Sequence, residues 1–268
     1  MTDREKKTGR HDISKICMPI TGNSKNEIVR QMEKAMASKC GMIEWRADYF
    51  WAGYPMGGKR DHEIILDMLD IICKMSKNAE AKKPSEGDII DKSVIFTLRT
   101  KEEGGKAHLR RSTYMQLIRD VIQKSLTDMV DIELLDENGT EDRARLEFII
   151  DMAHEAGKKV ILSNHDFDKT PDMEVITGRM DAMKELGADI VKVAYMPCDD
   201  LDVDILMDAA GSMKKKNPET LLVAISMGER GKRTRDGSEA YEPAIFFVSG
   251  PGGSSAPGSA RSSRCRAV

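Results

Sequence analysis

At 268 residues the chain is long enough for one large domain or two small ones. It is 40% hydrophobic, 32% charged and 5% aromatic, with a net charge of -3, so the composition gives no reason to expect nucleic acid or an anionic membrane as a partner. Apolar runs stop at four or five residues, well short of the roughly 20 that span a bilayer.

Residues 1–14 read as a polar N-terminal tail. Their opening Met1-Thr2-Asp3-Arg4-Glu5-Lys6-Lys7 has no apolar segment of the kind a signal peptide carries, and the expected setting is cytoplasmic. From there two kinds of segment alternate. A β-rich run at 15–21 precedes a helical pattern at 24–39, then 42–50 precedes 61–76, 93–100 precedes 112–126, and 129–135 precedes 141–156. Further on, 159–167 precedes 172–186, 189–197 precedes 203–215, and a seventh strand covers 221–228. Strand followed by helix, repeated, predicts parallel strands joined by crossover helices. Gly157 and Gly187 stand where helices must stop before a strand. An eighth strand at 244–248 would close a single (β/α)8 TIM barrel over 15–258 if it paired with the first. An open doubly wound sheet also fits the periodicity, but no GxGxxG follows the first strand. The end is atypical. Residues 259–268 carry no helical period and read as an irregular tail, so a clear last helix is missing and Phe246 and Phe247 are expected to be only partly shielded.

The five cysteines, Cys17, Cys40, Cys73, Cys198 and Cys265, are odd in number and contain no CxxC pair. That argues against a disulfide framework and against a thiolate metal site, and Cys17, Cys40 and Cys73 read as buried thiols. His11, His62, His108 and His154 show no ligand spacing and read as surface residues. No metal and no cofactor is expected.

Barrel active sites lie at the C-terminal ends of the strands, and charged residues collect there. Glu44, Arg46 and Asp48 end the second strand. Arg99 ends the third and leads into Glu102-Glu103-Gly104-Gly105. Asp131 and Glu133 lie on the fourth, Asn164-His165-Asp166 end the fifth, and Lys192 lies inside Ile190-Val191-Lys192-Val193-Ala194 on the sixth. At period two such side chains point into the barrel, where an unpaired charge is costly. Lys192 cannot easily reach water. Desolvation, with arginines nearby, is expected to lower its pKa and leave an amine able to attack a carbonyl, although an interior lysine–carboxylate pair fits the same residue. His165 alone reads as a hydrogen-bonded structural residue, but beside an imine lysine it becomes a proton shuttle.

These segments resemble class I 3-dehydroquinate dehydratase. The resemblance runs in order through Glu44-Trp45-Arg46-Ala47-Asp48, Phe96-Thr97-Leu98-Arg99-Thr100, Glu103-Gly104-Gly105, Asp131-Ile132-Glu133-Leu134 and Ser163-Asn164-His165-Asp166-Phe167. It continues through Lys192-Val193-Ala194-Tyr195-Met196-Pro197, Met227-Gly228, Thr234-Arg235 and Ser255-Ala256-Pro257-Gly258. It implies a lyase that dehydrates 3-dehydroquinate to 3-dehydroshikimate in the shikimate pathway, as a homodimer. Lys192 would form the imine, His165 would move the protons and Glu103 would hold His165. Glu44 and Arg46 would bind substrate hydroxyls, Arg235 would clamp the carboxylate, and Arg99, Phe167 and Met227 would complete the pocket wall. Ser255 would sit on a closing loop. The family has Gln directly after Ser-Ala-Pro-Gly, where this chain has Ser259. The other readings are a different class I lysine-imine aldolase, or a paralogue impaired by its C-terminus.

Overall fold

A computed structural model describes residues 13–54, 58, 61–77, 91–235 and 241–251. The alternation folds into eight strands: β1 (Ile16–Ile20), β2 (Met42–Arg46), β3 (Ser93–Thr97), β4 (Met129–Glu133), β5 (Lys159–Asp166), β6 (Ile190–Tyr195), β7 (Leu221–Ser226) and β8 (Phe246–Phe247). Between them lie α1 (Lys25–Met36), α2 (Ala47–Gly53), α3 (Asp61–Lys77), α4 (Arg111–Lys124), α5 (Arg143–Glu155), α6 (Met173–Glu185), α7 (Asp200–Lys216) and α8 (Lys232–Arg235). The strands lie in the order β7-β6-β5-β4-β3-β2-β1-β8, every pair parallel.

The eighth strand pairs with the first, Ile16 against Phe246 and Cys17 against Phe247. The seam between β7 and the segment entering β8 is joined by the Ala244 N–H, which donates to the Leu222 carbonyl at 2.9 Å. It is also clipped by the Tyr241 hydroxyl, which donates to the Ala224 carbonyl and accepts from the Ala224 N–H. The sheet has therefore curled into a (β/α)8 barrel. Its interior confirms this: Cys17, Met42, Ile95, Met129, Ile161, Ile190, Val223 and Phe247 form one apolar cluster with Ile245. One residue from each of the eight strands can meet in this way only around a common axis. The opposite strand faces pack outward against the helices, with Val94, Phe96, Val130, Leu162 and Val191 joining helix residues such as Ile65, Leu69, Leu117 and Ile149 in the larger core.

Local sequence accounts for most boundaries. Gly157 and Gly187 adopt φ of +70° and +92° at helix ends, a conformation that costs glycine little. The expected strand at 42–50 stops at Arg46, and Ala47–Gly53 turn into α2. An extended run would put Phe50 on the same face as Glu44, Arg46 and Asp48. The helical turn instead carries its ring outward to within 6.1 Å of Trp45, which packs edge-on against Phe96 at 5.7 Å. Asp48 therefore stands in the first turn of a helix, not on a strand.

Phe247 is partly shielded, as expected, but Phe246 is 7% exposed. Cover at this seam comes from α8 and the chain entering β8, since Thr234, Tyr241 and Pro243 line one small cavity with Phe246. The expected irregular tail at 259–268 lies outside the described residues. Cys17, Cys40 and Cys73 are buried free thiols, while Cys198 is exposed. His62 is half-buried rather than superficial, because its Nδ1 bonds the Asp120 carboxylate at 2.7 Å.

At the N-terminal ends of two strands, lysines tie down the incoming loops. Lys92, fully buried immediately before β3, donates to the Ser38 carbonyl at 2.9 Å and to the Cys40 carbonyl. Lys158, one residue before β5, donates to the Ser125 and Thr127 carbonyls at 2.9 and 3.0 Å. Each ammonium thus meets the chain leaving a helix C-terminus, after α1 and after α4, where carbonyls lack partners and the helix dipole favours a cation. Replacing Lys92 by Met leaves two carbonyls buried without this donor, and the unfolding free energy in urea is expected to fall by about 1–3 kcal/mol. An unchanged urea midpoint would show that those carbonyls find water instead.

Candidate active site

At the other end of the barrel, period two places Glu44 and Arg46 of β2, Asp131 and Glu133 of β4, Ser163 and His165 of β5 and Lys192 of β6 on inward faces. Strand pairing sets Thr97 beside Asp131 and Lys192 beside Ser163. Carboxylates and cations that would be costly alone are thereby brought within bonding reach.

Arg99, just after β3, is the hub. Its Nη1 donates to Glu103 at 3.3 Å, to Glu133 at 3.0 Å and to the Ser163 hydroxyl at 3.0 Å, while Nη2 donates to Asp131 Oδ1 at 2.8 Å. The guanidinium fork suits such branching. Arg99, expected in the pocket wall, is held there by three buried carboxylates, Glu103, Asp131 and Glu133. Glu133 also accepts from the Thr100 N–H and hydroxyl, both at 2.8 Å.

Lys192 Nζ lies 2.9 Å from Asp131 Oδ2, 3.6 Å from Glu44 Oε1 and 4.5 Å above the Phe247 ring. Its immediate partners are carboxylates, with an arginine nearby as expected, since Arg99 bonds the same Asp131. Asp131 is thus shared: Arg99 and the Ser163 hydroxyl (2.6 Å) hold one oxygen and Lys192 the other. Burial opposes its charge, but Arg99 and Lys192 hold its carboxyl well below the usual carboxylate range. Glu44 accepts from the Thr97 hydroxyl at 3.0 Å.

His165 Nδ1 is 2.9 Å from Glu103 Oε2, and Glu103 Oε1 accepts from the Asn164 amide at 2.9 Å. Burial, with the cations Arg99 and Lys192, pushes the imidazole well below its ordinary value of 6.5 against the pull of Asp131. It is therefore neutral at neutral pH. With Nδ1 committed to Glu103, Nε2 is the nitrogen available for proton transfer. Burial and the neighbouring Glu133 push the Glu103 carboxyl well up, while Arg99 and Asn164 pull it back down.

The glycines after Glu103 make that placement possible. Gly104 has φ +78°, and a Cβ there would fall 2.2 Å from the Phe167 ring. At Gly105 a Cβ would fall 2.1 Å from the Arg99 carbonyl oxygen. Phe167 thus lies directly on the Gly104 backbone. Arg46 is held edge-on by Asp48, with bonds of 2.7 and 2.9 Å, and its guanidinium stacks 5.2 Å from the Tyr49 ring centre. Met227 is buried and its N–H donates to the Tyr195 carbonyl at 2.8 Å.

The structure therefore gathers Lys192, His165, Glu103, Glu44 and Arg99 into one network and seats Phe167 against its loop. Arg235 ends α8, but its side chain lies outside the description, as do Ser255 and Ser259. Sequence reasoning gave no role to Ser163, which bridges Arg99 and Asp131, or to Asn164, which holds Glu103. Their signal was membership of the segment Ser163-Asn164-His165-Asp166-Phe167. Among the described residues no group of three His, Cys, Asp or Glu side chains could hold a metal ion. Nor is any helix there long and apolar enough to cross a membrane.

Known proteins share this arrangement of strands. A 3-dehydroquinate dehydratase of Alkaliphilus oremlandii is 36% identical over 246 residues, covering 92% of this chain and 87% of its own length. One from Klebsiella pneumoniae is 33% identical over 253 residues, covering 94% and 91%. A crystal structure of type I 3-dehydroquinate dehydratase from Clostridium difficile, with covalently modified comenic acid, superposes with a TM-score of 0.75 at 29% identity, covering 92% and 87%. The family model for type I 3-dehydroquinase matches residues 16–268. A match over nearly the whole chain, reaching through every strand that supplies the buried network, places this chain in the type I 3-dehydroquinase family.

Proposed function

We propose that the chain dehydrates 3-dehydroquinate to 3-dehydroshikimate, with Lys192 as the imine-forming amine and His165 as the shared general base and acid. The observation that carries this reading is the pairing of a barrel-buried Lys192 with a neutral His165 whose Nδ1 is held by Glu103. The amine in its neutral form attacks the ring ketone, and loss of water leaves a protonated imine. That imine keeps one positive charge where the ammonium was, against Asp131 and Glu44, so the carboxylates that hold the resting lysine also stabilise the intermediate. The imine withdraws electrons from the adjacent carbon. His165 Nε2 takes a proton there, forming an enamine, and returns it to the hydroxyl that leaves as water. Hydrolysis of the conjugated imine frees the product and the lysine, so the net change is the loss of one water.

The same reading assigns substrate contacts to Glu44, Arg46, Arg99, Phe167, Met227, Arg235, Ser255 and Ser259, with a carboxylate clamp at Arg235 for which Arg is suited. It treats 15–258 as one catalytic unit, acting as a cytoplasmic homodimer without a cofactor. An imine-forming aldolase needs the lysine but gives no reason for Glu103 to be turned onto His165 by two crowded glycines. An impaired paralogue gives no reason for the acid–base pair to stand within 2.9 Å.

Turnover of 3-dehydroquinate, followed as ultraviolet absorbance of the conjugated enone, tests the reading as a whole. Borohydride with substrate is expected to trap an adduct at Lys192, seen by mass spectrometry of peptides, and Lys192→Ala should abolish it. An adduct at another lysine, or none, would sink the mechanism. For His165→Ala the imine should still be trapped while turnover falls by roughly 10²–10⁴-fold or more. A variant within about tenfold of the parent would remove His165 from the chemistry. Because the folded imidazole is pushed below 6.5, it stays unprotonated as pH falls through that value. The acid limb of kcat/KM is therefore expected below pH 6.5, and a limb at or above it would contradict a desolvated base.

A further inference from the structure

Asn164 is buried, 3% exposed, one residue before His165. Its Oδ1 accepts from Arg179 Nη1 at 2.8 Å, reaching over from α6, and from the Tyr195 hydroxyl at 2.9 Å, from the neighbouring strand β6. Its Nδ2 faces Glu103 Oε1 at 2.9 Å. An arginine has no acceptor, so the atom turned toward Arg179 must be the amide oxygen. The amide nitrogen is thereby turned toward Glu103, where it can only donate. Arg99 donates to the other carboxylate oxygen at 3.3 Å, and that oxygen also meets His165 Nδ1.

We propose that Asn164, with its amide locked by Arg179 and Tyr195, is a positioning residue that keeps Glu103 oriented and ionised as the acceptor for His165 Nδ1–H, and so fixes which imidazole nitrogen moves protons. The inference rests on the proposed dehydratase chemistry. Its physical basis is competition at Glu103. Burial and the nearby Glu133 favour a protonated carboxyl, whereas donors on both oxygens favour the carboxylate. A protonated Glu103 could donate to Nδ1, leaving the proton on Nε2, the wrong tautomer for a base. The Asn164 donor opposes that switch without touching substrate. The lock also spans three elements: Asn164 lies on β5, Tyr195 on β6 and Arg179 on α6, so α6 packing is read out at the acid–base pair.

The test compares Asn164→Ala, Asn164→Asp and Tyr195→Phe in the full chain, using 3-dehydroquinate with and without deuterium at the carbon that loses its proton. Asn164→Asp keeps shape and acceptor but loses the donor, and Tyr195→Phe removes one of the two bonds to Oδ1. A hydrogen bond to a charged group corresponds to roughly 10–100-fold in rate. Both Asn164 variants are expected to lose about that much kcat, with a larger deuterium effect, while KM and borohydride trapping at Lys192 stay within about threefold. Tyr195→Phe, the mildest change and the one that decides if the others fail to fold, is expected to lose about two- to tenfold, again in kcat alone. Variants that keep kcat and the isotope effect of the parent would overturn the inference. So would equal losses of kcat and trapping, which would mean that Asn164 only supports the fold. A parent chain that does not turn over 3-dehydroquinate would overturn the functional reading itself, a separate and recognisable outcome.

Discussion

The bond between the Arg99 guanidinium and Asp131 is the contact on which the rest of this site depends. It joins the end of β3 to β4 at 2.8 Å between two side chains that are both buried, and Asp131 in turn holds Lys192 on β6 at 2.9 Å. Remove the arginine, and Asp131, Glu133 and Glu103 are left as three buried carboxylates without their common cation, a situation far costlier than any surface ion pair lost. Lys192 is thus held in place through an acid on β4 that is itself held by a residue at the end of the adjacent strand β3.

Charge counting shows why the acids behave differently from one another. Arg46, Arg99 and Lys192 supply three positive charges to a pocket containing Glu44, Asp48, Glu103, Asp131 and Glu133, five potential negative ones. Asp131 lies between two cations and is held well below the carboxylate range. Glu103 and Glu133 share the remaining pull of Arg99, and burial pushes both up. The surplus acidity is concentrated at the carboxyl that faces His165. Donors such as Asn164 and Thr100 then acquire importance, because they decide whether an acid of this kind accepts a proton or keeps its charge.

The barrel separates this electrostatic work from stability. Its floor is apolar, a ring of Cys17, Ile95, Met129, Ile161, Ile190 and Val223, and below that lysines cap the carbonyls of the chain between helix and strand. The charged network occupies the opposite end, where loops can change without disturbing the ring.

How much of this was legible in the amino-acid order follows from the range over which each signal acts. Strand and helix alternation is local, so the barrel was readable from hydrophobic period, from Gly157 and Gly187, and from Ala244–Val248 as the eighth strand. Lys192 and His165 were readable because a lysine inside an apolar strand and a histidine at a strand end violate the local pattern. Partners were not. That Lys192 pairs with Asp131 in particular, that Arg99 joins three carboxylates, and that Asn164 turns its amide to Glu103 all depend on the registers of β3 through β6 and on how tightly the sheet curls. The turn at Ala47 was likewise hidden, since only the packed positions of Trp45 and Phe96 make a helix there more favourable than four more strand residues. Residue type and period alone determined which groups are present at the barrel mouth. Tertiary structure decided which of them touch, because contact between side chains sixty residues apart is set by strand register and closure, quantities that no local stretch of sequence contains.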